Sequence, residues 1–161
     1  MGIRLDEQEV WEFLDRGHTG IVTTLQRDGW PVSLPVWYAP IGGAVYLRTP
    51  RRSAKVARVR NDPRATFLVE SGTAWSELKA VVLRCRARVL EPGPEADHAD
   101  RVLGERYAGL GPPLAAAPAA TRSRYSGMVV LRLDLQDDPL TWDNAKLRMR
   151  STDPAIEKGA G

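Results

Sequence analysis

The chain has 161 residues, 27% charged and 43% hydrophobic, with 23 Lys and Arg against 20 Asp and Glu. These are ordinary globular proportions, and one cysteine, Cys85, excludes a disulfide framework and suits a reducing interior. The N-terminus carries acids where a secretory signal needs an apolar run, and no stretch reaches the roughly 18 apolar residues of a membrane helix. The expectation is therefore a cytoplasmic protein with one domain over 1–150 and a flexible tail over 151–161.

Asp6 with Glu9 forms a capping-box signal, and Val10, Trp11, Phe13 and Leu14 make one apolar face of a helix of about ten residues. The period then changes to two. Ile21 to Leu25 and Pro31 to Tyr38 read as strands around an Asp28-Gly29 hairpin. Pro40-Ile41-Gly42-Gly43 turns into Ala44 to Thr49, so a three-stranded meander is expected here.

Ser53 is a helix N-cap candidate, Ala54 to Arg60 is helix-compatible, and Asn61-Asp62-Pro63 stops the helix. Thr66 to Glu70 is a strand. In Ala80 to Leu90, Val81, Leu83, Cys85, Ala87 and Val89 alternate with Arg84, Arg86 and Arg88, as in a long antiparallel strand with one wet face. Pro94 to Tyr107 reads as a helix with Ala96, Ala99, Val102 and Leu103 inward, and Gly109 to Ala120 reads as a loop or lid. Val129, Leu131, Leu133 and Leu135 mark another strand, and Leu140 to Trp142 a last short one. The order predicts a mainly β (α+β) fold, a six- to seven-stranded antiparallel barrel with two or three peripheral helices.

A sequence pI of about 9.3 raises the possibility of a nucleic-acid partner, but the net charge is only +3. Acids are interspersed through most of the chain, however, and basic and aromatic residues are not interleaved, so no nucleic-acid partner is expected. The exception is local. Between 48 and 64, Arg48, Arg51, Arg52, Lys55, Arg58, Arg60 and Arg64 face Asp62 alone. This basic turn joins a strand end to a helix start, where unpaired amides and the helix dipole favour an anion. Arg51 or Arg52 offers a planar fork, Lys55 a point charge, and Thr49 and Ser53 hydroxyl donors. The segment reads as a phosphate site, with a solvated basic helix as the plainer alternative.

Val45-Tyr46-Leu47-Arg48-Thr49, Ser53-Ala54-Lys55 and Asn61-Asp62-Pro63-Arg64-Ala65 resemble the pyridoxamine 5′-phosphate oxidase-like split β-barrel superfamily, in particular its flavin/deazaflavin oxidoreductases. Glu77 to Val82, Thr141-Trp142-Asp143-Asn144 and Lys146-Leu147 agree with that family's pattern. Ala80 and Cys85 stand where glycines are common, and the Arg-Gln pair of a true pyridoxamine phosphate oxidase is not recognisable, so that activity is not implied.

The resemblance implies a split barrel and a homodimer with coenzyme F420 or FMN at the subunit interface. It also implies hydride transfer to or from a small unsaturated organic substrate. A non-catalytic carrier of flavin, F420 or a haem-type tetrapyrrole is the alternative. By this resemblance Thr49, Arg52, Ser53 and Lys55 hold the phosphate, joined on the residue reading by Arg51. Ser33, Leu34, Pro35, Val36 and Trp37 lie against the ring, and Trp75 and Trp142 come from the partner. Tyr38 and Tyr125 are candidates to polarise a substrate. His18 and His98 are isolated, so no metal site is expected.

Overall fold

Asp6 caps the first helix, α1 (Glu7–Arg16), in the predicted way. Its carboxylate accepts from the Glu9 amide, and the Glu9 carboxylate accepts from the Asp6 amide, both at 2.8 Å. Val10 and Leu14 are thereby turned into the core. The computed structural model describes residues 3–111 and 114–147, so the expected tail over 151–161 lies outside the described residues.

The elements that follow are β1 (Gly20–Leu25), β2 (Pro31–Val36), β3 (Ala39–Ile41), β4 (Ala44–Pro50), α2 (Ala54–Asn61), β5 (Arg64–Ser71) and β6 (Lys79–Val89). Then come α3 (Pro94–Arg106), α4 (Ala119–Tyr125), β7 (Met128–Leu135) and β8 (Leu140–Asp143). The strands form one antiparallel sheet in the order β2-β1-β5-β6-β7-β4-β3, with β8 paired to β6 off this path. The α+β class and the antiparallel barrel are as predicted. The strand total exceeds expectation by one: the run 31–38 breaks after Val36, and Ala39–Ile41, overlapping the predicted turn at Pro40-Ile41, forms a short strand of its own.

That break also corrects the expected three-stranded meander. β1 pairs with β2 and β3 pairs with β4, but β4's other neighbour is β7, in register from Ala44↔Asp134 to Pro50↔Met128. Pro31 and Pro35 lack the N–H a further ladder would need, so β2 serves as an edge strand. The β3–β4 hairpin forms by its own turn, Gly42-Gly43, both at positive φ (55° and 79°), as a two-residue hairpin loop with right-handed strand twist requires.

β2 and β3 are the two ends of a seven-strand path, yet only Trp37 and Tyr38 separate them in sequence. Laid flat, six inter-strand gaps of about 4.8 Å would set these edges roughly 29 Å apart. Three residue steps span at most about 11 Å. The sheet must curl until its edges nearly meet. Inside the curl lie Val22, Val45, Leu47, Phe67, Val69, Val81, Leu83, Leu131 and Leu133, with α1 contributing Leu14 and α2 contributing Val56 and Val59. α3 packs outside, where Ala99, Leu103 and Tyr107 cover Tyr46 and Val130.

The predicted loop over 109–120 is a second correction. Leu114–Ala116 form a 3-10 turn, and a fourth helix, α4, begins at Ala119. The Gly- and Pro-rich composition concealed it, because Thr121 to Tyr125 carry no apolar periodicity to announce a helix.

The linking residues Trp37 and Tyr38 have no strand partner, and α3's end supplies one. The Tyr107 hydroxyl accepts from the Tyr38 amide at 2.9 Å and can donate to the Tyr38 or His18 carbonyl, both at 2.8 Å. Tyr38 is fully buried, and its own hydroxyl donates to the Leu14 carbonyl at 2.5 Å. Tyr107→Phe should therefore destabilise the fold by about 1–3 kcal/mol through unpaired buried backbone groups, although the ring volume is kept. Chemical denaturation with an unchanged m-value would show it, and an unchanged midpoint would refute it.

Candidate functional site

The sheet's incomplete closure leaves a cleft of about 1220 Å³ between β2, the start of α2 and the segment from α4 into β7. Val32, Leu34 and Pro35 form its apolar wall. Thr49, Pro50, Arg51, Arg52, Ser53, Ala54, Lys55 and Arg58 form a polar wall, faced by Ala120, Ser123, Arg124, Tyr125, Ser126 and Gly127. The two ends are tied together where the Arg51 amide donates to the Gly127 carbonyl at 2.7 Å.

Ser53 is the N-cap of α2, as predicted. Its Oγ accepts from the Val56 amide at 3.4 Å and lies 3.2 Å from Thr49 Oγ1. Val56 and Val59 anchor the helix in the core, so its N-terminal end is held rigidly at the cleft. The intervening face presents Lys55 and Arg58, one turn apart and half-buried.

Charge sets this cleft apart. Arg51, Arg52, Lys55, Arg58 and Arg124 line it, and no Asp or Glu does. None of these five has a salt bridge among the described residues. Other members of the basic run are neutralised: Arg48 pairs with Asp100 at 2.6 Å and Arg64 with Asp62 at 2.7 Å. The Arg64 guanidinium also holds the Asp62 carboxyl down at about 2 by hydrogen bonding. On the outer face Arg84 pairs with Asp137, and Arg88 and Arg132 share Asp134 and Glu95. Burial, and secondarily the charge of Arg58, lowers the pKa of Lys55 below the ordinary lysine value. Two cations share a partly dry wall without a counter-ion.

Of the residues singled out in the sequence, Leu34, Pro35, Thr49, Arg51, Arg52, Ser53 and Lys55 come together around this cleft. Ser33 hydrogen-bonds Thr23 at 2.8 Å, and Val36 is buried. Trp37 stacks on Tyr107 with centroids 4.6 Å apart, and the His18 ring meets both edge-on. Trp75 is 58% exposed, and Trp142 lies on β8. Neither is among the residues that line the cleft. His98 contacts Arg101, and no group of three metal-ligating side chains occurs among the described residues. Cys85 is a core residue whose thiol burial pushes up to about 12.

Sequence reading named Arg58 only within the basic run and, of the α4 wall, singled out only Tyr125. A signal for Arg58 existed in its i, i+3 spacing from Lys55; none placed Ser123 to Gly127 opposite Ser53.

The family model described as pyridoxamine 5′-phosphate oxidase matches residues 6–137. A conserved hypothetical protein of Mycobacterium tuberculosis, Rv2991, is similar in structure at TM-score 0.75, with 28% identity and 96% of each chain covered. The haem storage protein HutZ of Vibrio cholerae has TM-score 0.67 and 14% identity over 88% of this chain and 96% of its own. An F420 reductase has TM-score 0.59 and 20% identity over 78% of this chain and 92% of its own. The latter two likenesses concern the fold. Curated proteins gave no sequence match.

An anion in the cleft favours protonated Lys55, so anion affinity should be full at neutral pH. It should decline as pH rises through the lowered pKa, earlier than an ordinary lysine at about 10.4 would allow. Pyrophosphate titrations between about pH 7 and about pH 10 test this, and Lys55→Arg should flatten the decline because arginine stays charged. The same pH profile in the Lys55→Arg variant would remove Lys55 from the site.

Proposed function

The chain belongs to the pyridoxamine 5′-phosphate oxidase family, and from that membership we propose that it is a flavin- or deazaflavin-dependent oxidoreductase. In this reading it moves a hydride between coenzyme F420 or FMN and a small unsaturated organic substrate. The observation that carries the reading is the acid-free cleft whose cations have no acidic partner among the described residues. Such a wall is stabilised by an anion, and a phosphorylated ligand supplies one.

The roles follow from the geometry. The free amides at the start of α2, the Ser53 and Thr49 hydroxyls and the Lys55 ammonium would hold the phosphate. Arg51 and Arg52, both exposed, would add long-range attraction and draw an anionic ligand in. Val32, Leu34 and Pro35 would offer apolar contact to a ring system, and Tyr125 lines the same cleft. The bound cofactor supplies the carbon that carries hydride. What the chain does is fix orientation and exclude water, which suffices for a reaction between two closely held partners.

In the same reading two copies pair, and Trp75 and Trp142 reach the partner's cofactor. The exposure of Trp75 and Leu140, 58% and 60%, supports a covered surface there. The cytoplasm is the proposed site of action; no helix among the described residues is long and apolar enough to cross a membrane. A carrier of flavin or haem is the second reading. A cleft lining without carboxylate or imidazole to serve as acid or base suits a flavin carrier, while haem is favoured by the shared fold of a haem storage protein alone.

Titration with FMN, F420 and haem, followed by absorbance and fluorescence, separates these readings. Micromolar binding of FMN or F420 is expected, and Lys55→Ala should weaken it by about 1.5–3 kcal/mol with little change in fold. Binding of neither would end the cofactor reading. Binding without substrate-dependent oxidation of the reduced cofactor across a broad panel would favour the carrier.

A further inference from the structure

Arg58 stands apart from the other cleft cations. Its Nε donates to Thr24 Oγ1 at 2.8 Å, and Thr24, on β1, is 1% exposed. Its Nη2 is shielded from solvent and has no hydrogen-bond partner among the described residues. A guanidinium fork held on one side by a buried hydroxyl and left unmet on the other is costly, since a buried unpaired donor forfeits its hydration. The same side chain lines the cleft beside Lys55.

Arg51, Arg52 and Arg124 are exposed and keep their water, so they need no counter-ion. Lys55 and Arg58 are half-buried, lie on neighbouring turns of one helix, and have no acid beside them. Neutralising this pair takes two negative charges. A singly charged anchor would satisfy Lys55 and leave Arg58 as it stands.

We propose that Arg58, oriented by Thr24, is a specificity-determining residue that reads a second negative charge at the anchoring end of the ligand. The proposal rests on the cofactor-site reading and adds to it the charge the ligand must carry. Two sources share that chemistry. One is the dianionic phosphate monoester of FMN, and the other is a phosphodiester followed by a carboxylate, as in F420. The plainer role for Arg58 is mechanical, tying α2 to β1 through Thr24.

Calorimetric titrations of the full chain with two ligand pairs test this. The pairs are FMN with riboflavin, and F420 with its phosphate-free deazaflavin core. For Arg58→Gln the affinity for the charged member of the binding pair should fall roughly ten- to hundredfold, with the uncharged member unaffected. Whichever pair responds identifies the source of the charge. Arg58→Lys should restore part of the loss, since it keeps the charge without the fork. Thr24→Val should reproduce part of the loss by freeing the guanidinium.

Equal weakening of charged and uncharged members, with a lowered melting temperature, would overturn the proposal in favour of the mechanical tie. Unchanged affinity in Arg58→Gln while Lys55→Ala loses binding would overturn it and leave the cofactor reading intact. No binding of FMN or F420 by the wild type would overturn the cofactor reading, and this inference with it.

Discussion

The two residues between β2 and β3 impose more on this fold than any single contact. A path of seven strands has its first and last members tethered by Trp37 and Tyr38, so curling is a covalent necessity. Because β2 and β4 do not pair, the curl leaves a seam where the edge of β2 stays open. Buried strand edges are costly unless their polar groups are met. At the tether, Tyr107 meets the Tyr38 backbone and packs flat on Trp37. Further along the seam the solution is a cleft, roofed by α4.

The cleft's chemistry follows from how acids are distributed. The outer face of the sheet also carries arginines, but Glu95, Asp134 and Asp137 neutralise Arg84, Arg88 and Arg132 there. Exposed pairs of this kind contribute little stability, yet they remove long-range field. Inside the cleft no such acids occur. The electropositive potential is therefore focused where α2 begins, reinforced by the helix dipole and by low-dielectric walls. Half-burial sharpens the effect for Lys55 and Arg58, whose charges are neither fully hydrated nor paired.

Local patterns were legible where side chains face only two environments. The alternation in Val81 to Val89 told inside from outside on β6, and the buried and exposed positions follow it. Val130 broke the same rule on β7, because α3 covers the outer face there and makes both faces apolar. The basic run between 48 and 64 was read as one anomaly, but it divides. Arg48 and Arg64 are paired with Asp100 and Asp62, and Arg51, Arg52, Lys55 and Arg58 between them line the cleft. Asp100 lies far along the chain, so no local reading could have made that separation.

What the sequence by itself determined is most of the elements, β3 and α4 excepted, and the place of the basic turn. Caps, two-residue turns and period-two alternation act over a few residues, and Ser53, Lys55 and the capping box around Asp6 needed nothing distant. Tertiary structure decided which edges meet, and therefore that β4 joins β7 rather than β2. It also brought α4 across from α2, and it set Thr24 of β1 against Arg58. Those contacts span tens of residues and arise from closing the sheet. The basic turn could be read along the chain, but the cleft around it exists only once the sheet has curled.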